Sequence, residues 1–166
     1  MATRETADFL AGVIEGFYGE PWSLAERFEL FDCMAAWGLN TYLYAPKDDL
    51  KHRSLWRELY SASEAAALGE VIRATEQHGL RFIYALAPGL DIRYSNEAEV
   101  VHLKKRFEQM LGLGCRHFAL LFDDIPDQMA AEDLQAGRSF ASAQSQVANT
   151  LFRWTREQSP GARFLF

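Results

Sequence analysis

The chain alternates short runs of apolar, β-branched and aromatic residues with longer segments that have the periodicity of amphipathic helices. The short runs predict strands at Phe9 to Ile14, Asn40 to Ala45, Leu80 to Ala87, His117 to Phe122 and Arg163 to Phe166. Strands that are separated by helices form parallel sheets, because each right-handed crossover returns the chain in the same direction. The sequence therefore predicts an α/β fold.

Cap signals mark where the intervening helices begin and end. Ser23 with Glu26, and Ser61 with Glu64, have the spacing of a capping box, in which two orphan backbone N–H groups are satisfied reciprocally. Glycines are expected to end these helices. The predicted helices run from Ser23 to Gly38, from Ser61 to Gly79, from Asn96 to Gly112 and from about Ser139 to Gln158.

Two architectures fit this alternation, an open doubly wound sheet and the first half of an eight-stranded (β/α) barrel. The length of 166 residues favours the open sheet, since a complete barrel needs about 250 residues. Against the open sheet, no GxGxxG motif follows the first strand, no P-loop is present, and the last run is a strand without a covering helix. Both architectures stay open at this point.

Composition excludes several classes of function. Hydrophobic residues make up 49% and charged residues 24%, which is the balance of a folded protein, and the formal net charge of -6 disfavours nucleic acid and anionic membranes as partners. No apolar stretch approaches the roughly 20 residues of a membrane span. The first residues lack the features of a secretory signal, so a cytoplasmic location is predicted.

Functional groups of parallel α/β folds gather at the carboxyl ends of the strands. The residues of interest that follow the predicted strands, nearly all of them polar, are Glu15, Gly16, Tyr18, Lys47, Asp48, Asp49, Asp91, Arg93, Asp123 and Asp124. Asp123 and Asp124 leave an apolar strand together, which suits acid/base chemistry if the strand ends or bends at the pair. A helix cap, a solvated turn or a Mg²⁺ site would use the same residues.

Lys47 and Gly16 are the other candidates at this edge. Lys47 would donate hydrogen bonds to a substrate hydroxyl, although an ordinary surface lysine is the more common interpretation of such a position. Gly16 would let a ligand approach the backbone, but a turn with positive φ is the interpretation that the residue alone favours.

Four segments carry a more specific signal, namely GVIEGFYGEPW from Gly12, NTYLYAPKDDLKHR from Asn40, FIYALAPGLDI from Phe82 and FALLFDDI from Phe118. In this order and spacing they resemble the catalytic domain of the O-GlcNAcases, glycoside hydrolase family 84. The resemblance implies the N-terminal half of a (β/α)8 TIM barrel that ends in the fifth strand. Residues 1–166 would then be a partial glycoside hydrolase (β-N-acetylglucosaminidase) catalytic domain.

The resemblance also implies an activity, the removal of β-linked N-acetylglucosamine with retention and with help from the substrate itself. The acetamido oxygen of the sugar would form an oxazoline, with no cofactor and no metal. By position, Asp123 matches the residue that orients the acetamido group, and Asp124 matches the general acid/base. An ionised Asp123 is expected to keep Asp124 protonated near neutral pH. Gly16 and Lys47 match positions that contact sugar hydroxyls.

The resemblance implies that later strands of the family's barrel supply further sugar contacts that this chain lacks. The chain alone is therefore expected to be weakly active, and the free edges of its first and fifth strands invite a homodimer or aggregation. The expected partner is a glycoprotein or glycan that bears N-acetylglucosamine. The alternatives are a non-catalytic sugar-binding or partner-binding fragment and a Mg²⁺-dependent phosphohydrolase on an open sheet.

Overall fold

The computed structural model describes residues 9–137 and 139–166. The strands are β1 (Gly12–Glu15), β2 (Thr41–Tyr44), β3 (Arg81–Leu86), β4 (His117–Leu120) and β5 (Phe164–Leu165). The helices are α1 (Leu24–Ala36), α2 (Ala62–Gln77), α3 (Glu97–Gly112), α4 (Ala131–Gln135) and α5 (Phe140–Gln158), with a 3-10 turn at Pro88–Leu90. None of the described helices has an apolar stretch long enough to cross a bilayer.

The strands form one sheet in which every neighbouring pair is parallel and the order is β1-β2-β3-β4-β5. The order in space therefore equals the order along the chain. A doubly wound sheet instead reverses its order at a switch point, whereas a (β/α) barrel adds each strand beside the last. The topology is that of consecutive strands in a barrel wall, and the open-sheet alternative is wrong.

The two faces of the sheet carry different cores. Along β3, Phe82 and Tyr84 point into a large cluster shared with the helices, while Ile83 and Ala85 point into a small cluster on the other face. Alternating side chains of a strand point to opposite faces, so the strands have one helix-covered face and one face of aliphatic residues. The aliphatic cluster consists of Leu43, Ala45, Ile83, Ala85 and Ala119, with Leu10, Leu121 and Leu165 packed against it.

Strands β2 to β5 are each one or two residues shorter than predicted at one or both ends, and larger differences occur in two places. The first strand is predicted to begin at Phe9, but the ladder begins at Gly12 and extends to Glu15, whose buried carboxylate pairs with Arg27. A charged residue at the end of a strand is tolerated inside the protein when it is paired. The short helix α4 falls where no helix is predicted, and its Asp133 accepts the backbone N–H groups of Tyr94 and Ser95.

Candidate active site

The four predicted site residues lie along the carboxyl edge of the sheet. Gly16 follows β1 directly, Lys47 follows the end of β2, and Asp123 and Asp124 follow β4. Backbone hydrogen bonds join these segments beyond the strands: Lys47 N–H donates to Phe17 at 3.1 Å. The loops therefore continue the order of the sheet and bring the candidates to one edge.

Asp123 and Asp124 are turned to this edge by the local backbone. The strand β4 ends at Leu120, and Asp124 adopts φ 50°, a left-handed conformation that Asp tolerates better than most residues. The carboxylate side chains are half-exposed, at 50% for Asp123 and 53% for Asp124. The chain therefore bends at Asp123 and Asp124, as it must if two adjacent carboxylates are to serve one site in acid/base chemistry.

Gly89 allows the segment that carries Asp123 and Asp124 to pack closely against the turn that follows β3. A Cβ atom at Gly89 would lie 2.9 Å from Ile125 Cγ2 and 3.3 Å from Phe122 Cα. Because one of these neighbours is backbone, a larger residue would push the segment that carries Asp123 and Asp124 outward.

Lys47 contacts the first carboxylate of the pair. Its Nζ lies 2.6 Å from Asp123 Oδ2, and its side chain is only 8% exposed. The interpretation as an ordinary surface lysine is therefore wrong, because the stem is buried and the ammonium group has a defined partner. An ammonium group has three N–H donors, so two remain for other acceptors.

The second carboxylate has two different partners. Tyr18 donates its hydroxyl to Asp124 Oδ2 at 2.5 Å, and Arg53 Nη2 donates to the same oxygen at 2.9 Å. The Tyr18 hydrogen bond, with the nearby charges of Arg53 and Lys47, lowers the pKa of the Asp124 carboxyl. This direction is opposite to the expectation that Asp124 keeps a proton near neutral pH, because the Tyr18 hydroxyl and the two cations favour the carboxylate form.

Gly16 does not have the positive φ that its residue type favours. Positive φ in the loop after β1 occurs at Gly19, with φ 106°, and not at Gly16. A Cβ atom at Gly16 would meet only the Ile14 side chain, at 3.1 Å. The backbone at Gly16 is therefore open to a neighbouring molecule, as the ligand-approach interpretation requires.

Arg53 is the residue that sequence reasoning missed. Its guanidinium pairs with Asp124 and lies 5.6 Å from the centre of the Tyr18 ring. It comes nine positions after β2, near the middle of a polar loop, and is therefore not among the residues that directly follow a strand. The Mg²⁺ alternative loses support here, since each carboxylate faces a protein cation and a second cation would be repelled.

Similarity to known proteins assigns the chain to a family. A family model described as beta-N-acetylglucosaminidase matches residues 11–166. The chain belongs to the β-N-acetylglucosaminidase family. Among relatives of this family, the Protein O-GlcNAcase of Rattus norvegicus and that of Mus musculus are each 52% identical over 149 residues, which is 90% of this chain and 16% of the relative.

A solved member with a similar fold is a mutant of the O-GlcNAc hydrolase of Thermobaculum terrenum. It superposes with a TM-score of 0.89 at 35% identity and covers 93% of this chain, which in turn covers 34% of that protein. The predicted fold class, the N-terminal half of a (β/α)8 TIM barrel, is confirmed. The chain spans about a sixth of the length of the mammalian relatives and a third of the bacterial one.

The contacts at Asp124 give a testable prediction for this member of the β-N-acetylglucosaminidase family. Tyr18→Phe removes the hydrogen bond that contributes most to the lowered pKa, so the pKa of Asp124 should rise toward the ordinary value of about 3.9. Carboxyl-carbon NMR titration measures it directly. Tyr94→Phe is the control, because the Tyr94 hydroxyl bonds Gln144 instead. An unchanged Asp124 titration in Tyr18→Phe would contradict the assigned contact.

Proposed function

We propose that the chain carries the carboxylate pair of a retaining β-N-acetylglucosaminidase in which the acetamido group of the substrate is the nucleophile. The observation that supports this most is the arrangement of adjacent Asp123 and Asp124. They face one edge of the sheet but contact different groups. Asp123 contacts the ammonium group of Lys47, and Asp124 contacts the phenol of Tyr18 and the guanidinium of Arg53. Two carboxyls with different surroundings can take different roles in one reaction.

In the first step the acetamido oxygen attacks the anomeric carbon and the bond to the leaving oxygen breaks. The leaving oxygen takes a proton from Asp124, and the product is a cyclic oxazolinium ion with its charge shared between oxygen and nitrogen. The Asp123 carboxylate accepts the acetamide N–H and stabilises that charge. No covalent bond to the protein forms, which places the reaction among the substrate-assisted exceptions to the two-carboxylate scheme.

Asp124 must gain a proton before this step, although its pKa is lowered in the chain by itself. A glycosidic oxygen that occupies the position of the Tyr18 hydroxyl would remove the contact that lowers the pKa most. The bound sugar would also exclude water from the half-exposed carboxyl, and both changes raise the pKa of a carboxylic acid. Substrate binding thus favours the protonated form of Asp124 that the reaction needs.

In the second step water attacks the anomeric carbon from the side that the leaving group left. Asp124, now a carboxylate, takes a proton from this water as the oxazoline ring opens, and the acetamido group is restored. Each attack inverts the anomeric carbon, so two attacks retain the β configuration. Asp124 ends the cycle protonated.

Lys47 and Gly16 fit the role of sugar contacts. Lys47 uses one donor on Asp123 and has two more for the hydroxyls of a bound pyranose. Gly16 presents open backbone on the neighbouring loop, where a side chain would limit how closely a sugar ring approaches. On this proposal residues 1–166 are part of a glycoside hydrolase domain, and the substrate is N-acetylglucosamine attached to Ser or Thr of a protein or to a related glycan.

The experiment compares two fluorogenic substrates, an aryl β-N-acetylglucosaminide and the matching aryl β-glucoside. The purified chain should cleave the first slowly and the second not at all, because the glucoside lacks the acetamido nucleophile. Asp123→Asn should lower cleavage roughly a hundredfold, in line with the loss of one preorganised electrostatic partner. Asp48→Asn, an exposed carboxylate beside Lys47, is the matched control. Equal cleavage of both substrates, or no cleavage of either, would contradict the proposal.

A further inference from the structure

Both cations that meet the carboxylate pair belong to one segment, residues 47–60, here called the β2–α2 loop. Lys47 lies at its start and Arg53 near its middle. The loop has no regular helix or strand. Single backbone hydrogen bonds hold it at both cations, where Lys47 N–H donates to Phe17 at 3.1 Å and Arg53 N–H donates to Leu50 at 3.2 Å. Side-chain contacts within the loop add to these bonds in placing the two cations within 2.6 Å of Asp123 and 2.9 Å of Asp124.

Asp49 fixes the backbone of the β2–α2 loop. Its Oδ1 accepts the N–H groups of Lys51 at 3.0 Å and His52 at 3.3 Å, which holds the turn between the two cations. Its Oδ2 accepts two phenol hydroxyls, Tyr44 at 2.8 Å and Tyr60 at 2.6 Å. The carboxylate therefore joins the start of the loop to its end.

A chain of hydrogen bonds leads from Asp49 to a buried cation. Tyr60 gives its one hydroxyl hydrogen to Asp49, so the 3.2 Å contact with Tyr84 requires Tyr84 to be the donor there. The Tyr84 oxygen in turn accepts from Arg106 Nη1 at 2.8 Å. We call Arg106, Tyr84, Tyr60 and Asp49 the tyrosine relay. All of its hydrogen bonds point one way, from guanidinium to carboxylate.

Arg106 is suited to anchor this relay. It lies on α3, is fully buried and has no salt-bridge partner among the described residues. Its Nη1 also donates to the Lys51 carbonyl at 2.8 Å, and its guanidinium lies 4.3 Å from the Tyr60 ring centre. A buried guanidinium with few partners is costly to move away from them. Arg106 therefore contacts the β2–α2 loop at Lys51 and at its last residue, Tyr60.

We propose that the tyrosine relay is a positioning device that holds Lys47 and Arg53 against Asp123 and Asp124. Its effect on catalysis rests on the proposed function, whereas its effect on the two ion pairs does not. Among the described residues, no hydrogen bond or ion pair joins a member of the relay to Asp123 or Asp124, so its members are positioning residues. A displacement of about 1 Å at reacting groups can cost roughly a hundredfold in rate, which is why such support matters.

The two phenols of the relay keep their hydroxyl hydrogens near neutral pH. Burial raises the pKa of Tyr84 to about 12 and raises that of Tyr60 well above its ordinary value. The direction of the hydrogen bonds is therefore fixed, and removing one hydroxyl interrupts the chain without a change of charge. This makes Tyr→Phe the matched substitution at both positions.

The test uses Tyr60→Phe in the complete chain and two readouts. In the first, carboxyl-carbon NMR should show the pKa of Asp124 rising toward about 3.9, because a loosened loop withdraws Arg53 from it. In the second, kcat for the aryl β-N-acetylglucosaminide should fall roughly tenfold with KM changed less than threefold. Tyr94→Phe, which removes a buried hydroxyl outside the relay, should change neither.

A double-mutant cycle separates a relay from two independent hydroxyls. Tyr84→Phe breaks the relay one bond further from Asp49, so adding it to Tyr60→Phe should produce no further shift in the Asp124 titration. Independent contributions would add. If Tyr60→Phe does not fold by circular dichroism, Tyr84→Phe keeps the Tyr60–Asp49 bond and carries the same titration test.

The outcomes distinguish this inference from the proposed function. An unchanged pKa of Asp124 in folded Tyr60→Phe and Tyr84→Phe, or additive shifts of that pKa, would overturn the relay. Hydrolysis of the N-acetylglucosaminide would in that case still support the proposed function. A chain that cleaves no N-acetylglucosaminide but shows the coupled titration shifts would overturn the function and support the relay.

Discussion

Asp124→Asn should reduce cleavage of a β-N-acetylglucosaminide with a poor, alkyl-like leaving group by about a hundredfold or more. General acid/base catalysis by one positioned group contributes factors of this order, and asparagine cannot deliver a proton to the leaving oxygen. The substitution keeps the shape of the side chain and an oxygen that accepts from Tyr18 or Arg53. The loss therefore reports the missing proton and not a collapsed loop. Initial rates on purified protein measure it.

The size of the loss should depend on the leaving group. A nitrophenol departs as a stable anion and needs little protonation, so its glycoside should lose less activity in Asp124→Asn than an alkyl glycoside does. Asp123→Asn provides the contrast, because a group that stabilises the oxazolinium ion acts whatever the leaving group. Equal losses for both glycosides in Asp124→Asn would contradict the role of Asp124 as the general acid.

Local signals in the sequence explain why so much of the fold was predictable. The capping boxes at Ser23 and Ser61 both form, with each Glu returning to the cap backbone. Gly38 and Gly79 adopt φ 74° and 72° just after their helices. These contacts lie within a few residues of each other along the chain, so the pattern of residue types is enough to specify them. The short α4, held by contacts with a distant turn, has no such local signal.

The candidate site was predictable to a smaller extent. The rule that parallel strands share a functional edge placed Lys47 beside the carboxylate pair, because it requires only the order of the strands. The protonation of Asp124 was not predictable in the same way. It depends on Tyr18 and Arg53, which lie 106 and 71 positions away along the chain and meet it only in the folded protein.

The same limit applies to Glu15, which the sequence shows only as a polar residue after an apolar run. Glu15 is fully buried and forms a two-bond fork with Arg27 of α1, at 2.9 Å and 2.8 Å. It also accepts the Tyr42 hydroxyl and, at 3.0 Å, the Trp22 N–H. One carboxylate thus ties β1 to β2, to α1 and to the loop that carries Gly16.

Glu15→Ala should lower the free energy of unfolding by about 3 to 5 kcal/mol, because it leaves the Arg27 guanidinium without its charge partner in a place where water reaches only 11% of the side chain. Urea unfolding followed by tryptophan fluorescence measures the change.

Asp32→Asn is the control for this measurement, since the Asp32–His78 pair lies at the surface and Asp32 is 78% exposed. Replacing both buried partners, in Glu15→Leu with Arg27→Met, should recover part of the lost stability, because no unpaired charge then remains inside the protein. A Glu15→Ala chain as stable as Asp32→Asn would show that water relaxes around Arg27 and that the buried fork does not hold β1 to α1.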